Sequence, residues 1–215
     1  MVSEVEPCVM RKVVDDMIFI ILIYVDDLLI FVMALEMDIL YALLTEAFKS
    51  ITMEVDQKLS YLGMQIVWSD AGFDISMEHY VKQLLGDWPN VLLRTGPGTK
   101  DTFKLDVLSP ALAEKPRQLF HTTVARILYL VKRIRTDALT VTSFLCTRVT
   151  KATKVDQSKL KRLLEYLKAL QGRKLQIRVT RPGSMQIRAF VDAAFALHFD
   201  AKSHTGCVVT VGGWR

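Results

Sequence analysis

Two adjacent carboxylates, Asp26 and Asp27, sit inside the most apolar stretch of the chain, Met17 to Leu35. Two anions side by side repel, and no Lys or Arg lies within nine positions on either side of the pair. A divalent cation would neutralise them. Hard oxygen ligands that leave coordination positions for phosphate suit Mg²⁺ or Mn²⁺, which is how phosphoryl-transfer sites are built. Tyr24, beside the pair, offers a flat apolar face of the kind that packs on a nucleotide. The plainer reading is an Asp-rich turn, because Asp is common in hairpin turns. Residue chemistry alone leaves both open. Other candidates are weaker: His79, His121, His198 and His204 have no ligand spacing, and Gly96-Pro97-Gly98 is followed by no Lys-Ser/Thr or helix start that would make it a phosphate loop. Cys8, Cys146 and Cys207 are odd in number, far apart and form no C-x-x-C, which fits a reducing compartment rather than a disulfide or zinc framework.

The element that carries the pair has to be decided first. The 19 residues of Met17–Leu35 could span a hydrocarbon core. Two central aspartates, each costing roughly 2.5–3.5 kcal/mol at a helix centre, argue against it. Asp15 and Asp16 directly precede the run, and no leader-type cleavage site is present. Ile, Val, Tyr and Phe favour strands. The sequence therefore predicts a strand over Met17–Tyr24, a tight turn at Val25-Asp26-Asp27, a strand over Leu28–Met33, and no membrane partner.

Further on, Leu35, Ile39, Leu40, Leu43, Leu44, Ala47 and Phe48 recur at helical spacing and predict an amphipathic helix over 36–50. Alternation at Leu62, Met64, Ile66 and Trp68, a turn at Ser69–Gly72, and alternation at Phe73, Ile75 and Met77 predict a second hairpin. Ser76 is placed to cap a short helix carrying Tyr80, Val81, Leu84 and Leu85. Residues 86–116 read as a connector. Phe120, Val124, Ile127, Leu128 and Val131 form one helical stripe, and Leu160, Leu163, Leu164 and Leu167 another. Strands are expected around 185–191 and 207–211. Tyr80, Trp68 and Trp88 read as packing residues.

At 215 residues, 51% hydrophobic and 24% charged, the chain can bury a real core and is not globally disordered. Its net charge of +5 conceals a division: residues 1–110 carry 8 Lys+Arg against 17 Asp+Glu, and residues 111–215 carry 20 against 6. A basic half implies either a polyanionic partner or a solvated lysine-rich surface.

Tyr24-Val25-Asp26-Asp27 between aliphatic strands matches the Y-x-D-D signature of reverse transcriptases, and the surrounding chain resembles copia-type retrotransposon polyproteins. Leu59–Ile66 (LSYLGMQI) is similar to the Y/F-L-G-hydrophobic segment that reaches the primer strand, and His79–Leu85 to the helix after it. Phe120–Asp137 is similar to the segment ending in T-R-P-D, and Leu160–Leu170 to R-x-L-R-Y-L-K. Val191–Ala196, with Lys202-Ser203-His204-Thr205-Gly206, resembles the start of a ribonuclease H domain. The ordered series covers nearly the whole chain.

The resemblance implies an α+β fold: a partial palm of antiparallel hairpins over 1–90, a connector over 91–116, a basic helical thumb or tether over 117–175, and the first strands of a ribonuclease H-like domain over 176–215. It implies that Asp26 and Asp27 hold Mg²⁺ or Mn²⁺ for nucleotidyl transfer, and that Asp192 is the first ribonuclease H carboxylate. Tyr24 would pack near the primer terminus and Leu62 with Gly63 would form the grip. Lys132, Arg133, Arg135, Lys159 and Arg162, on the basic helices, would hold the duplex by its phosphates. The implied partners are RNA/DNA template-primer, dNTP and the rest of the polyprotein. The implied location is intracellular, in a cytoplasmic virus-like particle or the nucleus.

The chain also departs from the family. Ten residues of strand put Asp16 about 33 Å from Asp26, too far to supply a third palm carboxylate. That group and the fingers would lie before Met1, and beyond Asp192 only Asp200 could serve ribonuclease H. Arg135-Thr136-Asp137 lacks the proline of T-R-P-D, Thr95-Gly96 replaces Thr-Pro, and Phe199 stands where the family tends to have Pro. The expectation is a polymerase segment inactive on its own; the alternative is a degenerate, non-enzymatic remnant that binds nucleic acid weakly.

Overall fold

The computed structural model describes residues 3–14, 17–178, 186–196 and 203–212. Asp15, Asp16, His198, Phe199, Asp200 and Lys202 lie outside these, so the sequence readings that involve them have no structural counterpart. The fold is α+β with antiparallel sheets, and the chain divides into two compact units, Met1–Ile66 and Val67–Arg215.

In the first unit, β1 (Val9–Val14), β2 (Met17–Tyr24) and β3 (Asp27–Phe31) form an antiparallel sheet in that order. The expected hairpin is β2–β3, in a register that sets Ile20 opposite Phe31, Leu22 opposite Leu29 and Tyr24 opposite Asp27. The run of Ile and Leu in β2 puts apolar side chains on both faces, because successive residues of a strand point oppositely. β1 was not anticipated: Arg11 and Lys12 interrupt its apolar pattern, yet it pairs with β2 from Val9↔Leu22 to Val14↔Met17.

A 3-10 turn at Ala34–Glu36 leads into α1 (Met37–Ala47), shorter at both ends than the expected 36–50. No residue of α1 is buried. Leu40 and Leu44 are half-covered, whereas Ile39 and Leu43 of the sequence stripe are exposed. The unit continues into β4 (Lys58–Tyr61), also unanticipated, and the start of β5 (Met64–Ser69).

In the second unit β6 (Gly72–Ser76) follows β5 and pairs antiparallel with β7 (Leu175–Arg178). The backbones approach closely here. A Cβ at Gly72, whose φ is +125°, would stand 2.1 Å from the Ile177 carbonyl oxygen, so only glycine fits. α2 (Glu78–Gly86) begins without a side-chain cap: Met77 takes the N-cap position and Ser76 ends β6, contrary to the expected Ser76 cap.

The core is helical. α2 contributes Val81 and Leu84, and α3 (Glu114–Val131) contributes Phe120, Val124, Ile127, Leu130 and Val131. α4 (Leu139–Cys146) adds Val141, Phe144 and Leu145, and α5 (Lys154–Ala169) adds Leu160, Leu163, Leu164 and Leu167. Each of the four α5 leucines is 0% exposed, and burying each stabilises by about 1.5–3 kcal/mol. In α3 the stripe turns inward at Leu130, leaving the expected Leu128 half-covered.

Tyr80 and Trp88 pack as expected. The Tyr80 hydroxyl donates to the Arg126 carbonyl at 3.1 Å, and Trp88 Nε1 donates to Thr123 Oγ1 at 3.1 Å. Trp68, also expected to pack, is instead substantially exposed.

α5 starts where a capping box forms. Thr153 Oγ1 accepts from the Asp156 amide at 3.4 Å, and Asp156 Oδ2 accepts from the Thr153 amide at 3.0 Å. Residues 87–113 are irregular apart from the Ala111↔Thr153 bridge, and bonds to α5 hold them down. The sequence reading ends the first domain at residue 90. The boundary between the two compact units falls inside β5; beyond it α2 buries its apolar face with the helices and β6 pairs with β7, which holds residues 175–178. β8 (Ile187–Ala194) and β9 (His204–Val211) form a separate antiparallel pair.

Candidate functional site

β2 and β3 are joined by a turn with Val25 and Asp26 as its two central residues, Tyr24 and Asp27 facing each other across it. Val25 has φ +52°. A β-branched side chain is strained there, by about 1–3 kcal/mol. Two-residue hairpin turns need positive φ at their first central position, and glycine normally supplies it. Asp26 and Asp27 are both exposed, and among the described residues neither makes an ion pair. Tyr24 is half-exposed beside them.

β4 and β5 meet in a second two-residue turn, Leu62-Gly63, with φ +50° and +73°. Positive φ at both centres is the I′ form, whose twist matches that of the flanking strands. Tyr61 ends β4. Its phenol is pushed up from the ordinary value by burial and by the nearby charges of Asp27, Cys8 and Tyr24. Tyr61 therefore shares an electrostatic neighbourhood with the aspartate tip. Sequence reasoning included Tyr61 in the L-S-Y-L-G segment but gave it no role.

Two carboxylates fit one weakly held hard cation whose other positions are filled by water or phosphate. Among the described residues no group of three His, Cys, Asp or Glu side chains converges anywhere. Asp192 sits on β8 opposite Gly206, exposed, its Oδ1 accepting from the Ala193 amide at 2.9 Å. It is not brought together with Asp26 and Asp27 by any described contact.

The five basic positions diverge. Lys132 is exposed and has no side-chain partner among the described residues. Arg133 lies 3.4 Å from the centroid of the Tyr129 ring and donates to the Tyr129 carbonyl. Arg135 does not offer a phosphate contact. It is 1% exposed, donates to both carboxylate oxygens of Asp137 at 3.0 and 2.9 Å, and donates to the Leu170 carbonyl at 3.1 Å. Lys159 donates to the Lys104 carbonyl at 2.6 Å, and Arg162 Nε to that of Gly98 at 3.2 Å. Burial holds the Lys159 ammonium below its ordinary value, against the opposing charge of Asp156.

Asp137 is a hub that the sequence did not reveal. Burial would raise its carboxyl. Hydrogen bonds from Arg135 and Tyr166 and the charges of Arg135 and Arg173 outweigh that and hold it down at about 2. The Tyr166 hydroxyl donates at 2.5 Å and Arg173 at 3.1 Å. The network joins the end of α3 to α5 and is structural.

Among the described residues no helix is long and apolar enough to cross a membrane. No protein-family model, curated protein or solved structure matches the chain.

Proposed function

We propose that the chain is a palm-and-thumb segment of a copia-type reverse transcriptase, with Asp26 and Asp27 as the palm carboxylates that receive Mg²⁺ or Mn²⁺. The observation that carries this reading is the tip of β2–β3: an exposed, unneutralised aspartate pair on a strained turn, flanked by Tyr24. Strain and unbalanced charge at one turn are costs that a purely structural hairpin has no reason to keep. The Leu62-Gly63 turn, with Tyr61 electrostatically close to Asp27, supports the reading because a primer terminus must lie beside the metal.

A metal held there would supply electrostatic stabilisation of the charge that develops in nucleotidyl transfer. Asp26 and Asp27 would anchor it. Tyr24 would present its ring to the terminal base pair, and Leu62-Gly63 would lie under the primer strand. Asp192 and Lys132 belong to the same proposal as the first ribonuclease H carboxylate and a duplex-phosphate contact. The remaining partners, dNTP and the rest of the polyprotein, would complete the machinery.

Mn²⁺ titration followed by NMR tests the site. Paramagnetic broadening is expected first at the amides around Tyr24–Leu28 and is expected to vanish in Asp26→Asn/Asp27→Asn. Broadening that starts elsewhere, or that survives the double substitution, would sink the assignment. Primer extension by this chain alone with Mg²⁺ is expected to give no incorporation, since two carboxylates do not complete a two-metal site. Incorporation that Asp26→Asn abolishes would overturn that two-carboxylate account.

A further inference from the structure

A cleft of about 560 Å³ lies between the connector and α5, within the size range of small-ligand sites. Pro97, Leu105, Val107 and Leu108 from the connector and Val155 from α5 give it aliphatic walls, and no aromatic ring lines it. Val107 and Leu108 are 75% and 90% exposed, apolar surface left uncovered at the rim.

The charges of the cleft are unevenly satisfied. Lys104 pairs with Asp101 at 2.7 Å, and Asp106 Oδ1 accepts from the Leu108 amide at 3.0 Å. Lys159 is held between the Lys104 carbonyl and Asp156. Arg162 uses only Nε, toward Gly98, and among the described residues nothing accepts from its two terminal nitrogens. Three cations and two carboxylates line the space, a net single positive charge centred on an under-used guanidinium.

We propose that this cleft binds a carboxylate carried on an aliphatic body, with the terminal nitrogens of Arg162 receiving the carboxylate and the connector walls covering the chain. The planar guanidinium fork matches a carboxylate in two parallel hydrogen bonds. One net positive charge balances a monoanion, and Asp101 and Asp106 in the walls repel a second negative charge. Walls without aromatic rings give a nucleobase nothing to stack on, which sets this ligand apart from a single-stranded nucleic acid. Two sources share the chemistry, a free aliphatic acid and the C-terminus of a peptide ending in an apolar residue. The inference does not depend on the reverse transcriptase reading.

The test is NMR titration of the full chain with sodium octanoate, with octanol, and with acetyl-Ala-Val-Leu as free acid and as amide. Octanoate is expected to shift the amides of 98–108 and 155–162, and octanol at equal concentration is not. Arg162→Gln keeps a donor for the Gly98 carbonyl and is expected to weaken octanoate at least tenfold. Ser158→Phe narrows the cleft without touching the guanidinium and is expected to weaken it also. Lys161→Gln, exposed on the same helix, is expected to leave it unchanged. Competition by the free-acid peptide but not by its amide assigns a peptide C-terminus as the source; no competition by either assigns a free aliphatic acid. The proposal fails if octanoate and octanol bind alike, or if neither Arg162→Gln nor Ser158→Phe weakens octanoate. It also fails if a single-stranded oligonucleotide displaces octanoate, since Arg162 would then be a phosphate contact.

Discussion

Asp137→Asn removes one charge from the centre of the α3–α5 network while preserving the shape of the side chain. The wild-type carboxyl is held at about 2 against an ordinary 3.8, a gap worth about 2.4 kcal/mol of preference for the charged form. The side chain keeps 26% of its exposure, so solvent screening reduces this to about 1–2 kcal/mol. Arg135 is stranded only in part, because the Leu170 carbonyl still accepts from it and the Asn oxygen replaces one acceptor. The sign follows from the depressed folded value: the stability is fully present above pH ~4 and is lost as pH falls through about 2. Urea unfolding of wild type and variant at pH 7, 5, 4 and 3 measures it. The variant should be less stable by about 1–2 kcal/mol at pH 7, with the gap closing below pH 4. A gap that stays constant down to pH 3, or no gap at pH 7, would refute the account of Asp137 as an ionised hub.

Two further substitutions probe local geometry. Val25→Gly relieves the positive-φ strain at the hairpin tip and should stabilise β2–β3 by about 1 kcal/mol net of glycine's entropy; slower amide hydrogen exchange in both strands is the expected sign, and faster exchange contradicts it. Thr153→Ala deletes the α5 cap and should cost about 1 kcal/mol in urea unfolding; an unchanged midpoint would mean that the Arg148–Asp156 pair starts the helix unaided.

The parts of the fold legible in sequence were those whose signal is local and repeated. β2 reads as a strand because eight consecutive residues, seven of them aliphatic, Met or Phe, precede a two-residue turn. α5 reads as a helix because its leucines fall on one face. β1 and β4 were missed because Arg11-Lys12 and Lys58 spoil short patterns that only pairing with a neighbour rescues. β7 could not be paired from sequence, since its partner β6 lies about a hundred residues earlier. At the candidate site the aspartate pair was legible from charge alone. The neighbourhood of Tyr61 was not, because it depends on how two hairpins approach. The fate of Arg135 was equally hidden: an arginine just past a helix end reads the same whether it faces water or, as here, fills the core.

The basic excess of residues 111–215 changes meaning once partners are assigned. Arg135 and Arg148 are buried against Asp137 and Asp156, and Lys159, Arg162 and Lys168 donate to carbonyls at 104, 98 and 91. These cations join helices or fasten an irregular connector that makes few backbone bonds of its own. Among the described residues, Lys115, Lys132, Lys151, Lys154 and Lys161 are exposed cations of this half without a side-chain partner, the ones that a polyanion would meet first. Net charge therefore overstates the outward-facing basic surface: part of the basic half acts as internal adhesive, and of the five cations that the motif resemblance selects, Lys132 is exposed whereas Arg135 is buried.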